Sequence, residues 1–181
     1  MKGNKGRFIA YTVTVVLLTG ILIRIFVVDS FTVIGNSMAP TLVDGDYIFV
    51  NKFAYGRNTP QRDDIVVGNF RELDPKVIKR VVGLPGEWVL VSASGTVSVA
   101  EERNGAHEAL PTRDPLLLQG EEIKNGEDFK YRLDPYEYFL MGDNFLGSKD
   151  SRELGPTDIY RIDGEVFLKV RIRDFSYEIF N

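Results

Sequence analysis

The hydrophobic and polar positions divide this chain into two unequal parts. Phe8 to Val28 is a run of 21 residues broken by a single charge, Arg24, near its far end. At about 1.5 Å per residue a helix of that length spans about 30 Å, the thickness of a bilayer's hydrocarbon core. A run apolar on every face is unlike the striped helix of a soluble core. Arg24 and the residues after it lack the small-x-small pattern of a cleavage site, so the run reads as an uncleaved membrane anchor. Beyond Val28 the pattern changes to short apolar runs between turn signals. Tyr47–Val50, Ile65–Val67, Val77–Val82, Trp88–Val91, Thr96–Val99, Tyr138–Met141 and Glu165–Ile172 are rich in β-branched and aromatic residues. Such runs predict strands, and no later stretch keeps a helical period. The fold class expected is mostly β: an antiparallel β-sheet domain preceded by one N-terminal transmembrane helix. The expected organisation is a cytoplasmic segment over 1–7, an anchor over 8–28 and one domain over 29–181. Within that domain, about 95–135 reads as a variable inserted region. Its stretch 100–130 is rich in Glu, Asn, Gly and Pro and reads as irregular.

Charge and composition narrow the classes. The 181 residues carry a net charge of −4, unevenly spread. Lys2, Lys5, Arg7 and Arg24 give +4 over residues 1–28, which leaves −8 for the rest. The positive residues before the anchor place the N-terminus in the cytoplasm and the domain outside it. An acidic domain lacks the basic footprint that nucleic acid requires. Without cysteine, disulfides, thiol nucleophiles and zinc-thiolate sites are excluded. No histidine-rich or calcium-loop motif suggests a metal, and no glycine motif suggests a phosphate cofactor.

The candidate chemistry starts at Ser37, in Ile34-Gly35-Asn36-Ser37-Met38-Ala39-Pro40-Thr41-Leu42. A serine on a turn of small residues is a candidate nucleophile, although most loop serines are not. Pro40 disfavours the helical conformation at Ala39, so the chain is expected to leave this turn extended. Ser37 lies only nine positions beyond Val28, at most about 30 Å of chain, which holds the serine close to the membrane. The hydroxyl needs a base. His107, the single histidine, sits in a polar stretch of the insertion and is a poor choice. Lys79 is the alternative. In Val77-Ile78-Lys79-Arg80-Val81-Val82, period two puts Val77, Lys79 and Val81 on one face and Ile78, Arg80 and Val82 on the other. Alternation does not say which face is buried. Arginine stays protonated, so only Lys79 can serve as base, and only where burial disfavours its charge. A solvated lysine would be inert. A third cluster, Gly142 to Arg152, has the composition of a tight hydrogen-bonded loop.

Taken in order, these blocks resemble the type I signal peptidases, a Ser-Lys membrane protease family. They are the anchor, Asn36–Leu42, Gly45–Lys52, Lys79–Gly86, and Met141-Gly142-Asp143-Asn144 continuing to Ser148, Asp150, Ser151 and Arg152. The match spans roughly residues 8–170 and is weakest over 95–135. The resemblance implies two antiparallel β-sheet domains and a membrane-bound serine endopeptidase without cofactor. Its substrates would be preproteins with small residues at the first and third positions before the cut. It implies Ser37 as nucleophile, Lys79 as general base and Ser148 as the hydroxyl that orients the lysine. Asp143, Asn144, Asp150 and Arg152 would brace the site, and Met38 would line the substrate pocket. The Ser37 N–H would hold the oxyanion. Some members add a serine hydroxyl two residues earlier; here that place is Gly35. Many members also carry two charged residues where this chain has Phe145 and Leu146, which are expected to change a local contact or dip toward lipid. Two alternatives share these motifs: a dedicated peptidase maturing a single substrate, and a silent β-domain that binds exported chains without cutting them.

Overall fold

A computed structural model describes residues 3–71, 75–92, 96–103, 106–109 and 129–180. Helix α1 runs Gly3–Phe26 and contains a stretch, Lys5–Leu22, long and apolar enough to cross a membrane. Its side chains, Phe8, Ile9, Val16 and Leu17 among them, are exposed. The helix stops two residues short of the apolar run's end. Val28 already pairs with Asn51, and Lys52 N–H donates to Val27 O at 3.0 Å. Sheet pairing thus claims the last valines, which suit a strand better than a helix end. Arg24 does not extend outward: it donates to Val28 O and Asp29 Oδ1, each at 3.1 Å, and to Ser30 Oγ.

Among the described residues twelve strands follow. They are β1 (Val28–Thr32), β2 (Tyr47–Asn51), β3 (Ile65–Gly68), β4 (Val77–Gly83), β5 (Trp88–Val91), β6 (Val97–Arg103), β7 (Ala106–Ala109), β8 (Phe129–Arg132), β9 (Glu137–Met141), β10 (Thr157–Asp158), β11 (Ile162–Arg171) and β12 (Ser176–Ile179). The main sheet has the order β1-β2-β11-β3-β4-β9-β10, with β12 also paired to β11; the second sheet is β7-β6-β5-β8. The described pairings are antiparallel. The mostly-β expectation therefore holds, and the strands foreseen all form.

The expectation that 100–130 is irregular needs correction. Residues 100–103, 106–109 and 129–130 lie in strands of the second sheet. Their acidic residues disguised the pattern, because β6 alternates buried Val97 and Val99 with polar neighbours before turning wholly polar. Asn104-Gly105 is a strong hairpin pair in sequence and was the overlooked signal. Residues 104–105 and 110–128, including Leu116-Leu117-Leu118, lie outside the described residues.

The core explains how the site is held. Ile48 and Val50 of β2 point inward, alternating with half-buried Tyr47, Phe49 and Asn51. They pack with Val33, Met38, Leu42, Ile65, Val67 and Val166 beneath the β1–β2 connection. A second cluster joins the two sheets through Val82, Val89, Val97, Leu133, Phe139 and Met141. Each such buried side chain contributes about 1.5–3 kcal/mol of transfer free energy.

Candidate active site

The β1–β2 connection carries Ser37. Its ends are closed by Val33 N–H to Asp46 O at 2.8 Å and Gly45 N–H to Val33 O at 3.0 Å. Gly35 adopts φ +87°, which favours glycine, and its N–H donates to Asp44 Oδ1 at 2.8 Å. Residues 37–41 form a turn closed by Leu42 N–H to Met38 O, with a cis Ala39–Pro40 bond, so the chain does not leave extended as expected. Met38 is 1% exposed, and its side chain fills the core beneath the turn. It pins the turn from below, a packing role beside the pocket role the resemblance implies.

Lys79 projects from β4 on the face it shares with buried Val81, which answers the question alternation left open. It is 3% exposed, and its Nζ lies 3.0 Å from Ser37 Oγ. Burial pushes the amine's pKa down. Asp150 and Asp143 pull it back up, and Arg152 opposes them. The two carboxylates are already spoken for. Asp143 receives Arg80 Nε at 2.8 Å and Nη2 at 2.6 Å. Asp150, fully buried, receives Arg152 Nε and Nη2, each at 2.7 Å. Among the described residues Lys79 therefore has no ion-pair partner of its own. A buried amine without a counterion favours the neutral form, the form in which lysine accepts a proton.

The loop after β9 seats the nucleophile turn. Asn144 N–H donates to Ser37 O and its Nδ2 to Asn36 O, both at 3.0 Å. Gly142 N–H donates to Asp150 Oδ2 at 3.0 Å. Gly142 has no room for a side chain: a Cβ there would lie 2.5 Å from Ser148 Cβ, and closer still to Ser148 Oγ and Ser37 O. The loop thus brings together Asp143, Asn144, Asp150 and Arg152 as expected from their order.

Two expectations are revised. Ser148 is buried beside the pair, but its Oγ makes no hydrogen bond among the described residues. The hydroxyl lies over Gly142 Cα, in the space a side chain there would take, and does not bond the lysine. Gly35 cannot supply an oxyanion donor in this arrangement, because Asp44 holds its N–H. The Ser37 N–H has no protein acceptor among the described residues and is left to serve. His107 belongs to β7 of the second sheet, paired with Glu102.

Sequence reading missed several supports. Arg80 entered only as a rejected base, yet it neutralises Asp143 and also donates to Asp63 O at 2.8 Å. Lys169, 7% exposed, donates to Thr41 O at 3.0 Å and pairs with Glu178, tying β11 and β12 to the Ser37 connection. Lysine and arginine inside strands carry no sequence mark of burial; only the three-dimensional register reveals it.

A serine hydroxyl in contact with a buried, unpaired lysine on an antiparallel scaffold has the geometry that a nucleophile–base pair of the Ser-Lys kind requires. Residues 6–171 match the signal peptidase family, peptidase S26, and the chain belongs to that family. It is 33% identical to a signal peptidase I of Bacillus caldolyticus over 97% of this chain and 92% of that one. It is 35% identical to a signal peptidase I of Pseudomonas aeruginosa over 76% of this chain and 59% of that one, so it spans about three fifths of that relative's length. A solved structure, a signal peptidase I from Enterococcus faecalis, aligns with a TM-score of 0.43 and 27% identity over 60% of this chain and 97% of that one.

Proposed function

We propose that the chain is a membrane-anchored serine endopeptidase that removes N-terminal signal peptides from exported preproteins. The observation that carries this reading is the 3.0 Å contact between Ser37 Oγ and the buried Lys79 Nζ. Lys79, neutral, takes the hydroxyl proton as Ser37 Oγ attacks the scissile carbonyl carbon. The Ser37 N–H receives the oxyanion. The protonated lysine then gives its proton to the leaving amine, and an acyl-enzyme remains. That amine is the mature chain's new N-terminus; water, deprotonated by the same lysine, then hydrolyses the ester, releases the signal peptide with a free carboxylate and returns the proton to Ser37 Oγ.

α1 serves as the anchor with the N-terminus in the cytoplasm, which places the domain on the far side of the cytoplasmic membrane. The path from Val28 to Ser37 keeps the nucleophile near the bilayer, where the substrate's cleavage site emerges. β1 lies at the end of the main sheet's order, so an extended substrate can pair along it. Substrates with small residues at the first and third positions before the cut fit a site whose floor is the closely packed Ser37 turn. The test is cleavage of one preprotein by wild type, Ser37→Ala and Lys79→Ala, with the cut site read by mass spectrometry. Both variants are expected to lose at least about a thousandfold in rate. Equal cleavage by all three refutes the dyad.

A further inference from the structure

The loop that holds the dyad contains one residue the mechanism does not use. Phe145 is half-buried and packs against the cluster that joins the two sheets. Its ring lies under the Arg152 guanidinium, whose central carbon is 3.7 Å from the ring centroid. Arg152 meets the same residue again through Nη2, which donates to Phe145 O at 2.9 Å and to Ser148 O at 3.3 Å. The guanidinium edge is therefore committed to Asp150 and two carbonyls, and one of its faces is covered by the ring. That cover keeps water off a face that hydrogen bonds do not protect, and the ring's quadrupole attracts the cation. Leu146, the next residue, is 70% exposed and makes no comparable contact.

From this geometry we infer that Phe145 is a positioning residue for the proton-transfer pair, acting by stacking Arg152 onto Asp150 behind Lys79. The inference rests on the Ser-Lys reading above. Three charged groups bear on Lys79, all from the loop after β9: Asp150, Arg152 and Asp143, the last paired with Arg80 of β4. Asp143 stays neutralised by Arg80 whatever happens at Phe145. Asp150 depends on Arg152 alone for a counter-charge among the described residues. If Arg152 loosens, its opposing charge retreats from Lys79 while the Asp150 carboxylate remains. Both changes favour the protonated lysine, which cannot accept the Ser37 proton.

The experiment compares the pH dependence of kcat/KM for wild type, Phe145→Ala, Phe145→Leu, Phe145→Tyr and the surface control Leu146→Asp, all as full-length chains in the same detergent. Phe145→Ala is expected to lose about threefold to tenfold at about pH 7 and to approach wild type at alkaline pH, its acid limb displaced upward. Phe145→Tyr keeps the ring and the wild-type limb. Phe145→Leu keeps apolar volume without the π face, and its limb moves in the direction of the alanine variant. Leu146→Asp leaves the limb in place. A loss uniform across pH, an unmoved limb in both the alanine and leucine variants, or a displaced limb in the tyrosine variant overturns the stacking role. Should Phe145→Ala fail to fold, the leucine and tyrosine pair decides alone. If wild type itself lacks an acid limb, or Lys79→Ala still cuts, the Ser-Lys reading fails instead.

Discussion

Gly142→Ala tests how tightly the nucleophile turn is seated. The glycine cannot retreat, because its N–H is bound to the fully buried Asp150. The added methyl would stand 2.5 Å from Ser148 Cβ and nearer still to Ser37 O. Ordinary carbon contacts begin at about 3.5 Å, so neighbours must yield by about 1 Å. Ser37 O is the softer neighbour, since it lies on a turn and accepts a single described bond, from Asn144 N–H. A shift of that size lengthens the 3.0 Å Ser37–Lys79 contact to about 4 Å, beyond hydrogen-bond range. Misplacement by about 1 Å costs roughly a hundredfold in rate, and the overpacking costs about 1–3 kcal/mol of stability. The assay is preprotein cleavage under saturating and subsaturating substrate, with a thermal melt on the same sample. Adding Ser148→Ala should not rescue activity, because the clash with Ser37 O persists. A folded Gly142→Ala protein that cuts within about threefold of wild type refutes the seating argument.

Three other outcomes follow from the same geometry. Met38→Ala should lower stability by about 2–4 kcal/mol, read by denaturant titration, because the side chain fills core; unchanged stability with broadened substrate choice would favour the pocket role alone. Lys79→Met should abolish cleavage yet stabilise the fold by about 1–2 kcal/mol near neutral pH. Burial lowers the folded-state pKa of Lys79, so the unfolded chain holds that proton more tightly. The resulting penalty is complete below the folded-state pKa, shrinks as pH rises, and vanishes above the range of a free lysine. The stabilisation by Lys79→Met should shrink in the same way, and a gain that grows with pH would contradict it. Asn144→Ala removes the bond to Asn36 O and should reduce kcat by about threefold to tenfold with a smaller effect on KM; an effect on KM alone would mean that Asn144 binds substrate and does not clamp the turn.

Strands β2, β3, β4, β9 and β11 of the main sheet were legible because their β-branched and aromatic runs are bounded by turn residues, as Tyr47–Val50 is by Asp44-Gly45-Asp46, whereas β1, β10 and β12 carried no such mark. Ser37 and Lys79 were legible as types and through the order of motifs. Their mutual distance was not, since period two offers two faces and only the sheet's register buries one of them. The second half of β6 and all of β7 and β8 escaped notice because about half of their residues are polar, as in a sheet with one wet face. Nothing short of the folded turn could reveal Asp44 as the acceptor of the Gly35 N–H. Arg80 was hidden by the same logic that selected Lys79: its constant charge disqualified it as a base, and that constancy is what suits it to silence Asp143.

The position of β11 has a consequence for timing. This strand is made late, yet it sits in the middle of the main sheet, between β2 and β3. Ser37 belongs to the β1–β2 side and Lys79 to the β3-β4-β9 side. Until residues 162–171 are in place, the two halves of the sheet share no strand, and the Asn144 clamp and the packed core are what join the Ser37 turn to the Lys79 strand. A chain truncated before residue 162 is therefore expected to lose the 3.0 Å Ser37–Lys79 contact, and with it any cleavage that depends on that pair.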